Sequence, residues 1–135
     1  MIEANWDLDT IRVFLHILGA AVWVGGQVVV AALVPALRRV GPEATQAAAQ
    51  QFARVAWPFF ALAVLTGLWN LFEVDGFEDA ANSYHVTLTV KMVLVVATGV
   101  AAWLHTRATD RRRIAMLGSL SGVASIGAVL VGVAL

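Results

Sequence analysis

The sequence predicts an all-α fold: a bundle of four transmembrane helices packed antiparallel, with both termini on the non-cytoplasmic side. Three observations carry this reading. The chain of 135 residues is 60% hydrophobic and 13% charged, with mean hydropathy +0.80. A water-soluble domain carries about a quarter charged residues and under half apolar ones, so the excess apolar surface needs lipid. The apolar residues fall in four long runs with no two-residue alternation. In hydrocarbon the backbone must satisfy its own polar groups, so such runs are helices. Finally, the sign of the charges alternates from one connection to the next.

About 20 apolar residues cross a hydrocarbon layer of about 30 Å as a helix. The first span runs from about Ile11 to Leu37. Before it, MIEANWDLDT is acidic and polar and lacks the basic start of a cleavable signal peptide, so the span is expected to be retained. The second runs from about Phe52 to Phe72, after an Ala/Gln-rich helical lead-in from Glu43. Pro58 is expected to kink it. The third runs from about Tyr84 to Thr106 and the fourth from about Ile114 to Leu135. Gly41-Pro42 breaks the first connection and Asp75-Gly76 turns the second. Loops this short make neighbouring helices antiparallel, and the length supports one integral membrane domain over residues 1–135. Small residues at Gly118, Ser121, Gly122, Ser125 and Gly132 give the fourth span a face for close packing.

The charges set the expected orientation. Arg38 and Arg39 follow span one, and Arg107, Arg111, Arg112 and Arg113 lie between spans three and four. The opposite flanks carry Glu3, Asp7 and Asp9, and then Glu73, Asp75, Glu78 and Asp79. Arginine-rich short loops stay cytoplasmic, which sends both termini to the other side. The lipid bilayer is thus the first partner. A homo-oligomer or a membrane redox partner is left open by the sequence.

Composition also excludes function classes. The formal net charge is zero, so nothing draws the chain to nucleic acid. With no cysteine there is no disulfide, thiolate metal site or thiol nucleophile. No Ser-His-acid set, His-Glu-x-x-His or phosphate loop is present.

Polar residues inside spans are costly and therefore candidates for function. His16, Gly19, Ala20, Trp23, Gly26 and Gln27 share one helical face, polar or small against an aliphatic remainder. Tyr84, Lys91, Thr98 and His105 recur every seven residues and form a second stripe. His16 and Lys91 each lie about 10 Å inside the outer boundary, and Thr66 and Trp69 approach that level on span two. An outer-half pocket of His16, Lys91, Thr66, Trp69 and Trp23 follows. His85 lies off the stripe, near the headgroups, and Arg12 sits near a span end. His105, Arg54 and Trp57 belong to the inner end. Each residue has a plainer reading too. His16 can simply bond a carbonyl, Lys91 and Arg54 can snorkel to headgroups, and His105 can be interfacial.

His16-Ile17-Leu18-Gly19-Ala20-Ala21-Val22-Trp23-Val24-Gly25-Gly26, followed by Val34-Pro35-Ala36-Leu37-Arg38-Arg39, resembles the first helix of copper-resistance D (CopD)-like membrane proteins. Thr66-Gly67-Leu68-Trp69 resembles the end of their following helix, and Lys91-Met92-Val93-Leu94-Val95 with His105 their later lysine-bearing helix. The same pieces are similar, more distantly, to the HemJ-type protoporphyrinogen oxidases, small four-helix proteins that bind haem b. In that pattern a histidine follows the lysine more closely than His105 does here, and an arginine follows the first-helix tryptophan sooner than Arg38 does. The departures favour the broader CopD-like group.

The resemblance implies two cofactor chemistries. In the first, haem b or a porphyrin takes His16 as axial ligand, with glycines on its face leaving room for a flat ring and Lys91 pairing with a propionate. The protein would then be a membrane oxidoreductase, if an enzyme at all. In the second, copper is handled by His16, His85 and His105. Copper(I) prefers cysteine and methionine, and the chain has no cysteine and three methionines. High-affinity copper(I) capture is therefore disfavoured, and a low-affinity transit path remains. The third reading is an accessory subunit without a cofactor. On these residues haem is favoured over copper.

Overall fold

The computed structural model describes residues 3–135. Those residues are all-helical, with α1 over Leu8–Val40, α2 over Pro42–Phe72, α3 over Asn82–Arg107 and α4 over Arg111–Val133. All four helices are long and apolar enough to cross a membrane. The chain divides into two compact units, Met1–Asp75 and Gly76–Leu135, each a helical hairpin.

In the first unit α1 starts at Leu8, three residues before the apolar run expected to open it. The cause is a local cap. The Thr10 N–H and hydroxyl both donate to Asp7 Oδ1, each at 2.9 Å, which satisfies a helix-start donor that would otherwise be open. These donations hold the exposed Asp7 carboxyl below its ordinary value. At the other end α1 continues through Pro35 to Val40, past the expected stop at Leu37. Only Gly41 then separates it from α2, at φ 153°, a conformation suited to glycine. Pro42 opens α2, where its missing N–H costs nothing. The Ala/Gln-rich lead-in is thus continuous with span two, and Pro58 lies within that helix.

The two helices meet through small residues. A Cβ at Gly19 would lie 2.7 Å from the Phe59 carbonyl oxygen and 2.8 Å from the Ala63 nitrogen. The Phe52 ring occupies the space over Gly26. Trp23, Trp57 and Phe60 pack as a trio, with Trp23 centroids 5.2 Å from Trp57 and 4.4 Å from Phe60.

In the second unit the stripe of Lys91, Thr98 and His105 on α3 faces the small-residue face of α4. Lys91 lies over Gly132, Leu94 over Gly127 and His105 over Gly118. At the centre, Thr98 Oγ1 donates to the Ser121 carbonyl at 2.8 Å, and Ser121 Oγ donates to the Thr98 carbonyl at 3.0 Å. Both residues are only 2% exposed. The small face of α4 therefore does what its composition suggests: it lets α3 approach closely.

Candidate functional site

The polar groups of the first unit gather at the end of the α1–α2 seam that carries Asp9 and Glu73. His16 projects from α1 onto α2, where its Nδ1 lies 2.7 Å from the Ala63 carbonyl oxygen and 3.3 Å from Thr66 Oγ1. A carbonyl only accepts, so Nδ1 carries the proton. In the neutral ring, Nε2 then holds the lone pair. Thr66 Oγ1 spends its own proton on the Leu62 carbonyl at 2.6 Å, so it too accepts from His16. Gly67 makes this approach possible, since a Cβ there would lie 2.9 Å from His16 Cε1.

One turn nearer the helix start, Arg12 is 9% exposed. Its guanidinium pairs with Asp9 at 3.3 Å and Glu73 at 3.8 Å, and lies 5.8 Å from the centre of the Trp69 ring. Trp69 donates its indole N–H to Glu73 at 3.3 Å. Two shielded atoms in this region have no hydrogen-bond partner, Arg12 Nε and Asn70 Oδ1. Placing Arg12 merely near a span end understates it. Its four-residue offset from His16 puts both on one face.

The expected site residues thus divide. His16 and Thr66 come together, and Trp69 joins them through Arg12 and Glu73 at the same end. Trp23 lies deeper along the same face, in the aromatic trio. Lys91 belongs to the second unit, against Gly132. His85 meets the Phe77 ring edge-on at 4.9 Å and Tyr84 at 5.9 Å. His105 Nδ1 donates to the Ile114 carbonyl at 2.8 Å, tying α3 to α4. Among the described residues, no three His, Asp or Glu side chains converge as a metal-holding group.

For haem the residues fit poorly within this seam. The glycines expected to leave room for a flat ring are closed instead by α2: Gly19 by Phe59 and Ala63, and Gly26 by Phe52. A ligating imidazole usually donates its other N–H to a carbonyl or carboxylate, which fixes the ring and the tautomer. His16 does so with Ala63.

No curated protein and no solved structure matches the chain. A family model described as copper resistance protein D matches residues 46–135. That stretch holds Thr66, Trp69, His85, Lys91 and His105, while His16 and Trp23 precede it. Spanning most of α2 and all of α3 and α4, the match covers two thirds of the sequence, and this multi-pass membrane chain belongs to the copper resistance protein D family.

Proposed function

We propose that the protein passes copper ions as cargo, with His16 Nε2 as a transient contact along the route. The observation that carries this reading is the hydrogen bond from His16 Nδ1 to the Ala63 carbonyl, which orients the ring and sets its tautomer, as the carbonyl partner of a ligating imidazole does. Family membership supplies the cargo. Ligand chemistry supplies the affinity class. With no cysteine and three methionines in the whole chain, a soft high-affinity cage for copper(I) has few donors. A single imidazole suits release as well as capture. In this reading the arginine-bearing connections face the cytoplasm, so the Asp9–Glu73 end faces away from it.

The same imidazole would also serve haem iron, with the ring supplying redox chemistry. The filled glycine face makes this the second reading. Both are tested on protein purified in lipid nanodiscs, by visible absorption and by copper titration. Copper binding is expected without a Soret band, falling about tenfold or more in His16→Ala and holding steady in His105→Ala. Stoichiometric haem would replace the copper reading with the haem one. Copper binding unchanged in His16→Ala would remove His16 from the route.

A further inference from the structure

The seam between α1 and α2 changes character along its length. At the Asp9–Glu73 end it is polar, with Arg12, Trp69, Asn70, Thr66 and His16. Just beyond His16, the Gly19 contact with Phe59 and Ala63 leaves no room even for a methyl group. Deeper still, Trp23, Trp57 and Phe60 fill it.

The position of Asn70 follows from register. On α2, Gly67 lies against His16 and Glu73 pairs with Arg12. Asn70 stands midway between them, three residues from each, on the same helical face. Its Oδ1 is an acceptor without a donor, and Arg12 Nε is a donor without an acceptor. Arg12 is itself nine-tenths buried. A polar atom left unpaired at the edge of hydrocarbon is costly. Small species that accept from a guanidinium N–H and donate to an amide oxygen satisfy these two atoms. Water does this.

We propose that this part of the seam is a one-ended aqueous vestibule. Ordered water held by Arg12 Nε and Asn70 Oδ1 joins the solution at the Asp9–Glu73 end to His16. The Gly19–Ala63 contact and the tryptophan pair close it beyond. His16 therefore exchanges protons with one aqueous face only. The charged groups facing it along this path are Asp9 and Arg12 from α1 and Glu73 from α2. This inference does not depend on copper as cargo, because it concerns access to His16 and not what binds there.

The absence of native cysteine makes the test clean. Single variants Asn70→Cys, Thr66→Cys, Ala56→Cys and Ile17→Cys are reacted, in sealed vesicles, with a charged membrane-impermeant methanethiosulfonate. A thiol reacts as its thiolate, which needs water. Ile17 is 59% exposed on the bare protein but faces lipid in this reading, whereas Ala56 is 1% exposed beyond the aromatic trio. Asn70→Cys is expected to react about tenfold or more faster than Ile17→Cys, with Thr66→Cys intermediate and Ala56→Cys inert. Equal rates at Asn70→Cys and Ile17→Cys would show a dry seam and overturn the proposal. Reaction at Ala56→Cys as fast as at Thr66→Cys would overturn the closed end. Because a substitution can disturb the seam, the unaltered protein is measured too, by exchange of the His16 ring N–H with water in nitrogen-15 NMR. An exchange peak supports the vestibule, and its absence when the His85 peak is present overturns it.

Discussion

His16 and His105 are each held by a backbone carbonyl, and where that bond falls separates them: His16 is fixed on α2 beside Thr66 and Gly67. His105 makes an equivalent bond to Ile114, but there it fastens the end of one helix to the start of the next. The His85 ring packs edge-on against Phe77 and Tyr84 at the start of α3. At the same scale, Asp7 links a titration to a helix end. Its folded-state carboxyl is lowered by the Thr10 donors, so its contribution is present above the ordinary carboxylate value near 3.8 and fades as pH falls below it. The protection factor of the first turn of α1, taken against the intrinsic exchange rate at each pH, is expected to fall in acid and to lose that fall in Asp7→Ala. The reciprocal Thr98–Ser121 pair is expected to be worth about 0.6 kcal/mol and at most about 1.7, as such bonds between membrane helices are. A double-mutant cycle of Thr98→Val with Ser121→Ala, read by unfolding in detergent, measures it.

Helices were legible as elements because hydrocarbon thickness imposes a length that few other constraints share. Their ends were less so. Leu8 rather than Ile11 opens α1 because Asp7 caps it, and a cap is a local hydrogen bond that hydropathy does not report. The face of α1 bearing His16, Gly19 and Trp23 was readable from helical spacing, and it does meet α2. What spacing could not supply was the partner. The Lys91–Thr98–His105 stripe reads from spacing as facing inward, and what it meets in the second unit is the glycines and serines of α4. Likewise the pairing of Arg12 with Asn70 becomes notable once register places both on the Asp9–Glu73 side of the His16 contact. The contrast between two glycines of α1 tests the packing. Gly19→Ala drives a methyl into the Phe59 carbonyl and is expected to cost about 1–3 kcal/mol. Gly25→Ala meets nothing within 4 Å and is expected to stay within about 0.5 kcal/mol of wild type. Reversible unfolding of both variants in the same detergent decides it, and equal destabilisation would refute the close seam.

For the molecule as a whole, four spans require the Val40–Pro42 and Arg107–Arg111 connections to lie on one side of the membrane. In the proposed orientation their arginines put that side in the cytoplasm. Trypsin is expected to cut near Arg38–Arg39 and Arg111–Arg113 in inverted vesicles and to spare both in right-side-out ones. The reverse result would invert the assignment. α1, with 33 residues, is about 50 Å long against about 30 Å of hydrocarbon. A helix longer than the hydrocarbon tilts or extends beyond it, and the first turns of α2, beside its far end, carry the polar Glu43, Gln46, Gln50 and Gln51.

The single residue Gly41 between α1 and α2 has a bearing on how the protein is made. A joint so short gives the nascent chain no slack to deliver one helix into the bilayer and wait for the next. The pair must leave the insertion machinery as one folded-back unit. Arg12 and His16 would then reach lipid already facing Glu73 and Ala63, so α1 would not have to carry either group into the bilayer alone.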